Sequence, residues 1–115
     1  MKVKITSVAK QLPKYYRETK DIIPFVKLWM QNQDTRFQRK VIKLFEGAGV
    51  DKRYSIMDPE EVFIATSFEE KNNIYAREVV KLGEQSLKKA LDKANLKATD
   101  LDYIITVSCT GIMIP

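Results

Sequence analysis

The side chains best suited to chemistry gather near the carboxyl end of the chain. The uncharged run 103–107 (YIITV) leads directly into Ser108, Cys109, Thr110 and Gly111. A buried strand that runs into a polar, glycine-containing turn normally delivers side chains to a site. Glycine in such a turn supplies a backbone conformation that a residue with a Cβ would resist. The pattern therefore indicates a site that begins at this turn.

Cys109 is the only cysteine, and the chain contains no histidine. A cysteine that follows a strand and precedes a helix can act as a thiolate nucleophile. Against this, no Ser-His-Asp or Cys-His arrangement can be completed here, and one cysteine without histidine makes a poor zinc site. Free cysteines are often small buried hydrophobes. The sequence therefore favours a site-lining or plainly buried thiol over a nucleophile.

A second cluster is cationic. Arg36, Arg39, Lys40 and Lys43 recur at i, i+3, i+4 and i+7, which places them on one face of a helix. Cations in this arrangement can hold phosphates, although most charge runs are solvated helix faces. The whole chain has 20 Lys and Arg against 15 Asp and Glu, a net charge of +5. This mild bias favours anionic partners without choosing among them.

Length and composition describe an ordinary soluble chain. With 115 residues, 44% of them hydrophobic and 30% charged, it predicts one modest globular domain over 1–115. A single cysteine excludes an internal disulfide and suits a reducing compartment. No segment is apolar and long enough for a signal peptide or a membrane span. We therefore expect a cytoplasmic protein without metal or membrane partners.

The first half predicts several short elements. Alternation over 2–9 indicates a strand. Asp21 is a candidate N-cap for a helix that tolerates Pro24 in its first turn. A second helix starts at Asn32 or Asp34 and ends at Gly47 and Gly49; its apolar positions are Phe37, Val41, Leu44, Phe45 and Ala48. An extended stretch over 54–57 and a capped helical turn over 58–61 follow.

The second half predicts the longest helix and a final strand. Ser67 and Glu70 form a capping box that opens a helix reaching about Ala94. Its apolar stripe is rich in small residues and comprises Ala76, Val79, Val80, Gly83, Leu87, Ala90, Leu91 and Ala94. A turn over 97–100 then leads into a strand at 103–108. Strand, helices, long helix and strand predict an α/β layer with at least one parallel crossover.

Three segments, in their order along the chain, resemble the type III polyketide synthases, the chalcone and stilbene synthase family. They are 39–45 (RKVIKLF) with the following 52–54 (KRY), 100–111 (DLDYIITVSCTG), and 111–115 (GIMIP). The resemblance covers nearly all of this chain but only the N-terminal part of a family member. It implies a thiolase-like α/β fold of which this chain is the incomplete first portion.

The resemblance also implies an activity. Members of the family are homodimeric acyltransferases that condense an acyl-CoA starter with malonyl-CoA units, using a cysteine assisted by a histidine and an asparagine. All three of those residues align beyond this chain, so we expect no catalytic residue here and no activity of the chain alone. Coenzyme A thioesters are substrates in this chemistry, and no separate cofactor is expected.

Site residues follow by resemblance. Ser108, Cys109, Thr110 and Gly111 correspond to the family's substrate pocket. Ile114 matches a residue that reaches the partner's pocket across the dimer interface, or it is an ordinary core isoleucine. CoA-contacting positions fall on Lys40 and Lys43, beside Arg39, whereas a third such position falls on the uncharged Gly47. Arg53 and Tyr54 are expected to brace the fold rather than to touch substrate.

Two other interpretations remain open at this point. A ketoacyl synthase of the acyl-carrier type would share the thiolase-like layout, although the Lys40/Lys43 pair and the turn at Ile114 favour the polyketide synthases. A basic module that binds RNA or another anion is a different class. The aromatic residues are spaced as core residues and form no stacking platform beside the cations, which disfavours nucleic acid.

Overall fold

The computed structural model describes residues 2–64 and 66–108. These divide into two compact units, the hairpin unit Pro13–Ala65 and the long-helix unit, which combines Met1–Leu12 with Thr66–Pro115. The hairpin unit contains β1 (Tyr15–Glu18), α1 (Thr19–Trp29), α2 (Thr35–Gly47), β2 (Lys52–Ser55) and α3 (Pro59–Val62). The long-helix unit contains α4 (Phe68–Ala94) and a 3₁₀ turn at Ala98–Asp100. Among the described residues, no helix is both long enough and apolar enough to span a membrane.

The start of α1 is set by tertiary contacts. The helix begins after Glu18, so the prediction of Asp21 as its N-cap is wrong. The Thr19 amide donates to the carbonyl of Asp51 at 2.8 Å, and the Thr19 hydroxyl donates to the carbonyl of Val50. The first bond satisfies a backbone amide at the helix start that a local cap would otherwise serve, and the second anchors the Thr19 side chain to the segment before β2. Pro24 consequently lies inside α1 rather than in its first turn.

β1 and β2 pair in an antiparallel register from Tyr15↔Ser55 to Glu18↔Lys52. The Tyr16 and Tyr54 rings lie across this pair with their centroids 5.9 Å apart. β2 overlaps the extended stretch expected at 54–57 only at Tyr54 and Ser55 and begins two residues before it. β1 (YYRE) has no alternation of apolar and polar residues from which a strand could be predicted. The helical turn expected at 58–61 is confirmed as α3, because the Asp58 side chain caps it by accepting from the Glu60 amide.

The core of the hairpin unit lies between α1 and α2. Ile22, Val26 and Met30 of the first helix and its end are buried, and they are packed by Val41, Ile42, Phe45 and Phe63. α2 is capped by Asp34 and ends at Gly47, in agreement with the prediction, and Gly49 follows with a φ of +64°. The apolar face of α2 was only partly predicted. Phe37 and Leu44 are 49% and 72% exposed, because Ile42 faces α1 in their place.

α4 confirms the helix predicted from the Ser67 capping box. The Glu70 amide donates to the Ser67 hydroxyl at 3.1 Å, and the Ser67 amide donates to the Glu70 carboxylate at 2.9 Å. The helix closes at Asn95, whose φ of +53° is left-handed, as is common just past a helix end. The amino-terminal segment runs along this helix: Ser7 donates to the carbonyl of Ala90 at 2.8 Å, and Lys93 donates to the carbonyl of Val8 at 3.1 Å.

The strands predicted at 2–9 and 103–108 are not formed, and both segments are irregular in the structure. Within the described residues the only sheet is β1–β2, so the expected parallel crossover is absent there. The side chains that were expected to be buried in these strands are exposed, including Val3, Ile5, Tyr103, Ile105 and Val107. A strand is completed by hydrogen bonds to a neighbour, and an alternating sequence without that neighbour does not make one.

Candidate functional site

The cationic helix α2 is fixed at its amino end by local hydrogen bonds. The Asp34 carboxylate accepts from the amides of Arg36 at 3.1 Å and Phe37 at 3.0 Å. The Gln38 side chain donates to the carbonyls of Met30 and Gln33, both at 2.9 Å, which ties the first turn of α2 to the end of α1. These bonds fix the amino end of α2 relative to the end of α1 and so help to set which side of α2 faces α1.

An open cleft of about 330 Å³ lies along this helix. Arg39 and Lys43 line it from α2, and Lys27 lines it from α1. The other residues that line it are Ile42, Thr35 and Gln38. Three cations from two helices thus surround one concavity. Arg36 and Lys40 do not line it, so the stripe predicted from the sequence is divided: Arg39 and Lys43 are brought together, whereas Lys40 lies outside the cleft.

These cations lack carboxylate partners. Within the part of the chain that the structure describes, Lys27 and the four α2 cations form no ion pair. Other lysines do find partners: Lys20 lies 2.7 Å from Glu18, and Lys88 lies 2.5 Å from Glu84. A group of cations left unpaired around a concavity is an arrangement suited to an anion, since phosphate oxygens accept from several donors at once.

Lys27 is the residue that sequence reasoning missed. It lies in the last turn of α1, where a cation offsets the helix dipole. That structural role explains the residue without a ligand, so nothing in its position alone assigned it to a site. A signal was nevertheless present. A short connection between two helices makes them antiparallel neighbours, which brings the last turn of the first near the first turns of the second.

Of the second predicted cluster, Ser108 is the one residue that the structure describes. Its hydroxyl lies 2.5 Å from the Tyr75 hydroxyl of α4. Residues 105–108 and α4 line an open groove of about 720 Å³, with contributions from Tyr75, Val79, Val80, Gly83, Ser86, Leu87 and Ala90. The small residues of the predicted α4 stripe therefore border an open groove, and a Cβ built at Gly83 would meet no atom of the described residues outside its own helix within 4 Å. The predicted pocket residues Cys109, Thr110, Gly111 and Ile114 lie outside the described residues, and their roles stay predictions.

Arg53 and Tyr54 brace the hairpin unit. The Arg53 guanidinium lies 4.7 Å from the centroid of the Phe45 ring, and Tyr54 contacts Tyr16, so both make the structural contacts expected of them. Metal ligation has no comparable support: among the described residues, no group of three or more acidic, cysteine or histidine side chains is placed to hold a metal ion.

Comparison with known proteins gives consistent relatives. No protein-family model matches the chain. The 1,3,6,8-tetrahydroxynaphthalene synthase of Streptomyces coelicolor is 40% identical over 74 residues, 64% of this chain and 20% of that protein. The enzyme of the same name from Streptomyces griseus is 31% identical over 75 residues, 65% of this chain and 20% of that protein. Phloroglucinol synthase of Pseudomonas fluorescens is 26% identical over 73 residues, 64% of this chain and 21% of that protein.

A solved structure extends the likeness to the fold. The crystal structure of the Streptomyces coelicolor synthase, described as a bacterial type III polyketide synthase, matches with a TM-score of 0.80 and 27% identity. The match covers 93% of this chain and 31% of that one. The chain spans about a fifth of the length of the curated relatives that it matches. The chain is thus a relative of the type III polyketide synthases and has their thiolase-like fold, which confirms the predicted family and fold class.

Proposed function

We propose that this chain supplies the coenzyme A-binding surface, and the first residues of the acyl pocket, to a type III polyketide synthase. That enzyme would be a homodimeric acyltransferase that condenses an acyl-CoA starter with malonyl-CoA units. The observation that carries the proposal is the 40% identity to a tetrahydroxynaphthalene synthase over 74 residues. The unpaired cations of α1 and α2 support it from the structure.

The chemistry of the cleft fits the nucleotide end of coenzyme A. That end carries a pyrophosphate and a ribose phosphate, whose oxygens accept hydrogen bonds from lysine and arginine side chains. Lys43 and Arg39 line the cleft, and Lys40 stands on the adjoining face of the same helix. The position corresponding to a third family cation is Gly47, and Lys27 offers a positive charge from the neighbouring helix instead.

The binding site can be tested with coenzyme A and the full chain. Lys40→Glu combined with Lys43→Glu should weaken binding about tenfold or more, and added salt should weaken binding to the unaltered chain. Lys2→Glu combined with Lys4→Glu changes the net charge equally at residues far from α2 in sequence, and it should leave the affinity nearly unchanged. Equal losses in both double variants would mean that only the overall charge matters and would overturn the site.

Single substitutions then separate the two faces of the helix. Because Lys43 lines the cleft and Lys40 does not, Lys43→Gln should weaken coenzyme A binding more than Lys40→Gln. The reverse order would move the phosphates to the other face of α2, where Arg36 also stands. Isothermal titration calorimetry at low and moderate salt provides both affinities and their salt dependence.

Condensation is the second part of the proposal. With no histidine in its 115 residues, the chain lacks the family's assisting base, so we expect no turnover by the chain alone. Incubation with an acyl-CoA and malonyl-CoA should release free coenzyme A no faster than a blank without protein. Turnover that disappears in Cys109→Ser would instead make Cys109 the nucleophile and would contradict its assignment to the pocket wall.

A further inference from the structure

The Arg53 guanidinium in the hairpin unit has an unsatisfied donor. Its Nε–H is buried and has no acceptor among the described residues. Two other arginines of the chain have carboxylate partners: Arg17 donates to Asp58 at 3.1 Å, and Arg77 donates to Glu78 at 2.9 Å. Burying this donor of Arg53 without an acceptor is costly. Arg53 also forms no ion pair with a described residue, so no carboxylate of these residues balances its charge.

Arg53 also lines a cavity of about 230 Å³ within the same unit. Five of the cavity's other lining residues are aromatic: Tyr15, Tyr16, Phe45, Tyr54 and Phe63. Arg17 lines it as well, but its guanidinium is already paired with Asp58. The cavity therefore combines an apolar, ring-lined wall with one cation whose charge is unsatisfied.

The placement of the guanidinium restricts what can bind to it. Its central carbon lies over the Phe45 ring, 4.7 Å from the centroid. Because the Nε–H has almost no accessible surface, a ligand in the cavity would meet the two terminal amino groups of the guanidinium, which can donate two parallel N–H···O bonds to one planar carboxylate.

We propose that this cavity is a binding site for a small aromatic carboxylate. The carboxylate neutralises Arg53, and the ring packs among the tyrosine and phenylalanine side chains. Drug-sized ligands occupy cavities of about 300–1,000 Å³, so a cavity of about 230 Å³ suits a single ring. The site shares no lining residue with the cleft of Lys27, Arg39 and Lys43 and does not depend on coenzyme A binding.

Benzoate is the probe, titrated into the full chain and followed by NMR of arginine Nε–H and aromatic ring signals. Benzoate should shift the Arg53 Nε–H signal and the Tyr15, Tyr16 and Tyr54 ring signals with one common saturation curve. Acetate, which has the charge without the ring, and benzamide, which has the ring without the charge, should each bind about tenfold more weakly. Equal effects of benzoate and benzamide would overturn the role of Arg53, and an absence of shifts with benzoate would overturn the site.

Substitutions test the same assignment. Arg53→Gln should weaken benzoate binding about tenfold, and Arg53→Lys should also weaken it, because an ammonium group cannot form the bidentate contact. Arg77→Gln is the matched control: it removes an arginine that is paired with Glu78 and does not line the cavity, and benzoate affinity should stay within about twofold of the unaltered chain. Benzoate binding that survives Arg53→Gln would refute the proposal. Should that variant fail to fold, the response of the Arg53 Nε–H signal in the unaltered chain decides between binding and no binding.

Discussion

The two units of this chain contain similar amounts of apolar sequence and use it differently. In the hairpin unit, α1 buries Ile22, Val26 and the following Met30 against α2, and β1 pairs with β2. In the long-helix unit, Leu91 is the one buried hydrophobic residue among those described, although the helix extends over 27 residues. The first unit is held by packing, whereas the second is held largely by hydrogen bonds within one helix.

This difference shows which kinds of structure form from local interactions. A helix satisfies its own backbone, so α4 is complete from its Ser67 cap to its Asn95 closure. An extended segment needs a neighbour, and 103–108 has the composition of a strand without the pairing of one. The comparison leads to three predictions, each of which separates packing from local stabilisation.

The largest effect is expected at Met30, which is 1% exposed in the core of the hairpin unit. Met30→Ala should lower the free energy of unfolding of this unit by about 3 kcal/mol, because it removes packed atoms and leaves a cavity. The matched change Val80→Ala acts on a residue of α4 that is 57% exposed, and it should cost less than about 1 kcal/mol.

Hydrogen exchange of α1 and α4 amides, measured in the same sample, reports on both units at once. Met30→Ala should speed exchange in α1 and α2 far more than Val80→Ala speeds exchange in α4. If Val80→Ala proves as costly as Met30→Ala, then α4 is packed in solution and the contrast between the two units is wrong.

A smaller effect is expected at the amino end of α4. Ser67→Ala removes the acceptor of the Glu70 amide and should destabilise the first turn by about 1 kcal/mol. Faster exchange of the amides of Glu70 and Lys71 would report the loss. Ser86→Ala, in the middle of the same helix, removes no cap and should leave those amides unchanged, since alanine is the better helix former. Similar behaviour of the two variants would show that the capping box contributes nothing.

The smallest effect is expected from the surface pair of Glu84 and Lys88. The hydrogen bond from Lys88, followed by its charge, lowers the pKa of the Glu84 carboxyl below its ordinary value of 4.5. The stabilisation is therefore present in full above that value and is lost as the pH falls through the lowered pKa. Since both groups are exposed, the change in helix stability should be slight.

Carbon-detected NMR titration of the glutamate carboxyls measures this pair directly. Lys88→Gln should return the pKa of Glu84 toward 4.5. Glu78, whose pKa is lowered by hydrogen bonds from Arg77 and Lys81, is an internal control and should titrate as before. An unchanged titration of Glu84 in that variant would show that the ion pair does not persist in solution.

The candidate coenzyme A cleft shows how far sequence reasoning extended. The i, i+3 and i+4 spacing of the α2 cations predicted a common face, and the helix formed within the expected limits. The spacing did not determine which of them would face α1, because that depends on the rotation of α2 about its axis. Packing of Ile42 against α1 set this rotation, and so Lys27 joined Arg39 and Lys43 while Lys40 stayed outside.

The sequence by itself determined the features that depend on near neighbours. These are the caps at Asp34, Asp58 and Ser67, the extents of α2 and α4, the absence of histidine and the likeness to the polyketide synthases. Only the tertiary structure decided the start of α1 at Thr19, the pairing of β1 with β2, the unpaired guanidinium of Arg53 and the irregular backbone of 2–9 and 103–108. The physical reason is that a cap or a helical turn is completed within a few residues, whereas a strand, a buried charge or a cleft is completed only by residues distant in the chain.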